Sequence, residues 1–155
     1  VGAVVSLVHD TLIIFGLFSL LQNVMPFSME IDQSFVAAIL TVIGYSINDN
    51  VVIFDRIREN IELYPKRDIK STINASLNAT LSRTFSTSMS TLVVLIVIFF
   101  FGGETIRGFI FAMLVGVIVG TYSSWFIATP IAYDTLKKNG AKSLKKVNEA
   151  VAENA

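Results

Sequence analysis

The chain has 155 residues, of which 53% are hydrophobic and 15% charged, with a mean hydropathy of +0.65 and no net charge. Soluble domains carry about a quarter charged residues, so this composition belongs to an integral membrane protein, and the lack of positive charge argues against a nucleic-acid partner. With no cysteine and one histidine, disulfides and thiolate chemistry are excluded, no metal site is expected, and no nucleophile–base–orienter set can be assembled, so the chain is expected not to be an enzyme.

Crossing the hydrocarbon core takes about 20 mostly apolar residues. Four segments qualify, over about 1–24, 34–56, 81–101 and 106–134. Backbone groups in lipid must pair internally, which leaves helices or a closed barrel. Runs such as "TLVVLIVIFFF" do not alternate with period two, so the segments are predicted to be helices. The chain opens on Val1, inside an apolar run and without a basic leader. It is expected to be a piece of a longer protein rather than to begin with a signal peptide.

The first helix carries His9 and Asp10. Adjacent helical residues point about 100° apart, so these two are not expected to face each other. They read either as members of a polar cluster or as interfacial residues at a helix start. The connection "QNVMPFSMEIDQS" and the later "FGGE" hold acids but no Lys or Arg.

The second helix places Asn48, Asp49 and Asn50 inside an apolar segment, with Thr41, Tyr45 and Arg56 along the same side as Asp49. A charge near the middle of a span costs about 3 kcal/mol on insertion scales. Asp49 therefore reads as a proton- or ion-carrying acid, with a plain interhelical hydrogen bond as the alternative. The loop over 57–80 has Ile69, Ile73, Leu77 and Leu81 at four-residue steps, predicting a short amphipathic helix on the membrane face. Pro65 separates it from the second helix.

The third helix opens on Arg83, within rows of Ser and Thr that include Thr87, and ends as lipid-type sequence. Its polar half needs a polar neighbour or water. Arg83 is a candidate counter-charge for Asp49, or else a snorkelling interfacial side chain. The fourth helix has Gly108, Ala112, Gly116, Gly120, Ser124 and Ala128 at strict four-residue steps, a face that lets another helix approach closely. Pro130 is expected to kink or end it. The basic tail 137–155 follows. Ten of the twelve Lys and Arg residues lie in the 57–80 region, its helix-two flank and the tail, so these are predicted to be cytoplasmic.

The stretches "VIGYSINDNVVIFDRIREN", "GAVVSLVHD", "TLSRT" and "FFFGGETIRGFIFAMLVGVIVGTYSS", in that order, closely resemble the signature of the SecF family of protein-export membrane proteins. The match covers about residues 2–137; the SecF half of a fused SecDF protein would show the same segment. The resemblance implies an all-α membrane bundle similar to the resistance-nodulation-division exporters. This chain would be helices three to six of six, as a transmembrane domain over 1–136, without the extracytoplasmic domain and its two flanking helices. It implies a proton-motive-force-driven accessory subunit of the Sec translocase in the bacterial inner membrane. Its partners would be SecD, the SecYEG translocon, YajC, translocating preproteins and membrane lipid. It would need no cofactor beyond the proton itself.

In that family the Asp of "ND" and the Arg of "LSRT" are implicated in proton transfer, which match Asp49 and Arg83. His9, Asp10, Tyr45, Asn48, Asn50 and Thr87 would support them. The family usually has Thr or Ser where this chain has Asn50. The expected cycle pairs Arg83 with charged Asp49, releases the pair on protonation and repacks helices along the small-residue faces. The rival readings are an exporter of small molecules or lipids and a purely structural translocon subunit.

Overall fold

The computed structural model describes residues 1–138. They form four helices: α1 (Gly2–Leu21), α2 (Gln33–Leu63), α3 (Ile69–Phe101) and α4 (Glu104–Lys138). All four are long and apolar enough to cross a membrane, and no strand occurs among the described residues. The protein is a multi-pass, all-α membrane protein. Most of the basic tail lies outside the described residues.

Two helices are longer than their sequence signals. At 1.5 Å per residue α2 and α3 run about 46 and 50 Å, against about 30 Å of hydrocarbon. They project together beyond one face of the bundle as a hairpin closed by residues 64–68. The region expected to be a loop over 57–80 is therefore mostly helix. Its predicted amphipathic helix is present but is not a separate element, because it runs into α3 without a break. No Gly or Pro lies between Ile69 and Phe101, so nothing stops propagation. All of its apolar row but the exposed Leu81 is spent on protein contacts: Ile73 is buried with Ile53 and Ile57, and Ile69, Leu77, Trp125 and Tyr133 pack round them.

At the opposite face, Asp32 caps α2 by accepting from the Phe35 amide at 2.9 Å. That hydrogen bond holds the exposed Asp32 carboxyl below the usual range. Pro130 does not end α4. The helix widens into a π-turn over Ser124–Ala128 and continues to Lys138. Proline lacks an N–H and its ring crowds the carbonyl four residues back, here that of Phe126, and a π-turn accommodates both. Thr129 Oγ1 donates to the Ser124 carbonyl at 2.9 Å within this turn.

The small-residue row of α4 sets the closest packing. A Cβ on Gly116 would run into the Val42 side chain, and one on Gly120 would lie 3.3 Å from Ser46 Cβ. Ala112 between them and the outer end is fully buried. Gly108 instead admits the Ser28 carbonyl of the α1–α2 connection. Apolar clusters fill both ends of the bundle. Phe18, Phe35, Ala38 and Ala112 belong to the outer one, with Phe18 and Phe35 rings 4.5 Å apart, while Ile53, Ile57 and Ile73 fill the hairpin end. Between the two clusters lies a polar layer.

Candidate functional site

The polar layer begins with the four-residue spacing of α1, whose buried residues are Gly2, Ser6, Asp10, Ile14 and Phe18. That spacing keeps one row against α2 and α4. Asp10 is 2% exposed. Its Oδ2 accepts from Ser46 Oγ of α2 at 3.0 Å and from Ser123 Oγ of α4 at 2.8 Å. Gly120 lies beside this group, where a Cβ would stand 3.8 Å from Asp10 Oδ2 and 3.3 Å from Ser46 Cβ. His9 Nδ1 lies 3.2 Å from Asp10 Oδ1, so the adjacent pair does meet, contrary to the angular expectation: the His9 side chain, one-third exposed, reaches back along the helix surface. One turn away, Asn50 Nδ2 donates to Ser6 Oγ at 3.1 Å, and Ser6 donates to the Ala3 carbonyl. Asn50 Oδ1 is buried without a donor.

Asp49 has the opposite character. It is 3% exposed, and its Oδ2 is buried with no hydrogen-bond partner. Among the described residues, no ion pair reaches it. Tyr45, one turn earlier, donates to Ser88 Oγ of α3 at 3.3 Å, and Ser88 and Thr121 of α4 are 2.7 Å apart. Asp49 thus sits beside a continuous hydroxyl chain from α2 through α3 to α4 and takes no part in it.

Arg83 is exposed and lines a cleft of about 360 Å³ between α2 and α3, with Asp55, Arg56, Glu59 and Thr80. It does not contact Asp49 as an ion pair in this arrangement. Arg56 is held by Glu59 at 2.5 Å. Asn48 and Thr87 are exposed, and Thr87 bonds to the Arg83 carbonyl of its own helix. Of the predicted supporting residues, the fold gathers Asp10, His9 and Asn50 into one cluster. Tyr45 belongs to the neighbouring hydroxyl chain. Asn48, Thr87 and Arg83 face outward together with Ser82, Ser86 and Ser90. The third helix buries the row Ser76, Thr80, Thr84 and Ser88, one step away from the Thr87 and Thr91 row.

Sequence reasoning missed Ser6, Ser46, Ser88, Thr121 and Ser123. A signal existed for all but Ser88: Ser6, Ser46, Thr121 and Ser123 each lie three or four residues from a residue already singled out. Single hydroxyls on an apolar helix carry no sign of direction, because they can also bond their own backbone.

Chemically, the layer holds one carboxyl that accepts from two serine hydroxyls beside the His9 ring, and one whose buried Oδ2 has no partner. In hydrocarbon the second group requires a proton, a water or a counter-charge. The candidate cation for that exchange is the exposed guanidinium of Arg83 on the next helix.

The family model for the C-terminal part of the protein-export membrane proteins SecD and SecF matches residues 1–138. The chain is 51% identical over 141 residues to the protein translocase subunit SecF of Rhodothermus marinus, covering 91% of this chain and 46% of that protein. It is 49% identical to the SecF subunit of Haemophilus influenzae, covering 86% of this chain and 39% of that protein. It therefore spans less than half the length of these relatives. Among solved structures, a crystal structure of SecDF in a super-membrane-facing form superposes with a TM-score of 0.84 at 37% identity, over 94% of this chain and 19% of that one.

Proposed function

The chain belongs to the SecD/SecF family of protein-export membrane proteins, and from that premise we propose that it is the proton-handling membrane part of an accessory subunit of the protein-export translocase. The observation that carries the reading is the buried, unpartnered carboxyl of Asp49 beside a satisfied hydroxyl chain. A group meant only as helix glue would use the donors around it, as Asp10 does. Asp49 takes up and releases the proton. Arg83, at the mouth of the cleft between α2 and α3, is the mobile counter-charge. The small-residue row of α4 lets α2 shift as the charge changes.

The transmembrane potential provides enough energy. One charge crossing 100 mV yields about 2.3 kcal/mol, comparable to the gap between two conformations of a packed element. The exposed polar edge formed by Asn48, Arg83, Ser86 and Ser90 needs a protein cover within the membrane. SecD is the proposed cover, and SecYEG, YajC and the moving preprotein are more distant partners. The positive-inside rule puts the α2–α3 hairpin and the C-terminal end in the cytoplasm of a bacterial inner membrane. A purely structural role is the second reading, favoured by the cluster of Ser46, Ser123 and His9 around Asp10.

The test is preprotein export into inverted membrane vesicles with the full-length parent protein and its Asp49→Asn variant. Loss of the proton-dependent stimulation, with normal assembly, is the expected result. Unchanged stimulation favours the structural reading.

A further inference from the structure

Asp49 Oδ2 meets no donor, but the fold sets one hydroxyl level with it. On α2, Ser46 and Asn50 face α1, where they bond Asp10 and Ser6. Tyr45 faces α3 and donates to Ser88 at 3.3 Å, and Val52 lines the α2–α3 cleft together with Thr80. Asp49 stands four residues after Tyr45 and three before Val52, so it lies on the stripe that faces α3. Opposite that stripe runs the buried row Thr80, Thr84 and Ser88. The two helices are antiparallel. Tyr45 meets Ser88 at one end of the stripe, and Val52 shares the cleft with Thr80 at the other. One turn in from both ends, Asp49 is level with Thr84.

Thr84 is as buried as its counterpart, at 2% exposure against 3% for Asp49. It is also the threonine of α3 that does not bond its own helix. Thr72, Thr80, Thr87 and Thr91 each donate to the carbonyl four residues back, the usual recourse of a hydroxyl within a helix. Among the described residues the Thr84 hydroxyl makes no hydrogen bond, although Thr80 and Ser88 on the same row both do. An acid with an unpartnered Oδ2 and a hydroxyl free of its own backbone thus stand level across the α2–α3 interface.

Chemistry separates this hydroxyl from the guanidinium beside it. Arg83 is exposed and lines the cleft, and a guanidinium only donates, so it suits the charged form of Asp49 alone. A hydroxyl both donates and accepts. It accepts from a protonated carboxyl and donates to a carboxylate without leaving its place. A buried carboxylate with no compensation is costly, and the hydroxyl covers the interval before Arg83 swings in.

Resting on the reading of Asp49 as the proton carrier, we propose that Thr84 is its positioning residue. Protonated Asp49 donates to Thr84 Oγ1, and Thr84 donates to Asp49 Oδ2 once the proton has gone. Thr84 keeps its own hydrogen in both states; only the Asp49 proton is exchanged. No hydrogen bond joins the two in this arrangement. Rotation of Thr84 about χ1 closes the contact, since nothing in its own helix holds the hydroxyl.

The test compares Thr84→Val, which keeps the shape and removes the hydroxyl, with Thr84→Ser, which keeps the hydroxyl. Both are made in the full-length parent protein and reconstituted with its membrane partner. One readout is proton passage into vesicles holding a pH-sensitive dye. The other is the infrared difference spectrum between acid and alkaline pH, in which the Asp49 carboxyl band is identified by its loss in Asp49→Asn. Thr84→Val should slow proton passage about tenfold, the worth of one hydrogen bond to a charged group, and should shift the Asp49 band. Thr84→Ser should restore both. Thermal stability and complex assembly serve as the folding control. Should Thr84→Val fail it, Thr84→Ala removes the same hydroxyl and supplies the same two readouts. Parent-rate proton passage without the hydroxyl, an unmoved band, or an equal loss in Thr84→Ser each overturns the proposal, the last marking a packing role. The carrier itself is judged separately. Proton passage that survives Asp49→Asn removes Asp49 from the path, whereas its loss in Asp49→Asn with parent behaviour in Thr84→Val removes only the positioning residue.

Discussion

Asp10 and Asp49 sit one helix apart in the same layer and are equally buried, at 2% and 3% exposure, yet they should respond to mutation in opposite ways. Asp10 organises three helices through Ser46 and Ser123. In Asp10→Ala both hydroxyls lose that acceptor; Ser123 keeps the Gly120 carbonyl, but Ser46 is left as a buried unpaired donor, which costs about 1–3 kcal/mol. The variant of the full-length parent should unfold at a lower temperature in detergent. Asp49 Oδ2 is buried without a partner, so Asp49→Asn should leave thermal stability unchanged or raise it, while proton coupling is lost. Stability retained with function lost marks a working group, since natural sites give up stability for activity. A large destabilisation by Asp49→Asn in the same assay would show that the carboxyl has a structural partner in the assembled protein.

The helices themselves show what the sequence could and could not reveal. Four spans, the break at Pro65 and the close-packing row from Gly108 to Ser124 were legible, because hydropathy and small-residue spacing act locally. Helix ends were not. Residues 57–63 read as a loop because charged residues end the apolar run there, but charge does not stop a helix that leaves the membrane. Nor could spacing show that Pro130 would be absorbed by a π-turn, or that Asp10 would outrank its neighbours as a bonding centre. Both depend on which helix stands opposite. The α2–α4 contact gives a test at this scale. A methyl group on Gly116 meets Val42 at its Cγ atoms and at Cβ, 2.9 Å away. The Cβ cannot be relieved by a rotamer change, so Gly116→Ala should cost about 1–3 kcal/mol as overpacking. Pairing it with Val42→Ala should recover only the part due to the two Cγ atoms in a double-mutant cycle, because the residue-42 Cβ stays 2.9 Å from the new methyl. Equal costs with and without the second change would mean that α2 and α4 are not so closely apposed.

At the scale of the whole molecule, the fold separates an acidic end from a basic one and stacks apolar, polar and apolar layers between them. The α2–α3 hairpin carries Arg56, Arg58, Lys66, Arg67 and Lys70, while the opposite connections carry Glu30, Asp32 and Glu104. Since this segment has no cysteine, single cysteines placed in an otherwise cysteine-free parent can report its orientation. Lys66→Cys should react with a membrane-impermeant maleimide only in inverted vesicles, and Glu30→Cys only in right-side-out cells. The reverse pattern would overturn the positive-inside assignment and turn the proton path round.

The central claim is that Asp49 moves a proton, and the most direct measurement is proton passage itself. The full-length parent and its Asp49→Asn variant would be reconstituted with their membrane partner into vesicles holding a pH-sensitive dye, under an imposed proton gradient. The account predicts that the parent dissipates the gradient faster than empty vesicles and that Asp49→Asn returns the rate to that baseline. Proton entry that continues undiminished in the Asp49→Asn variant would contradict it, and would leave the Asn-Asp-Asn segment as a packing device.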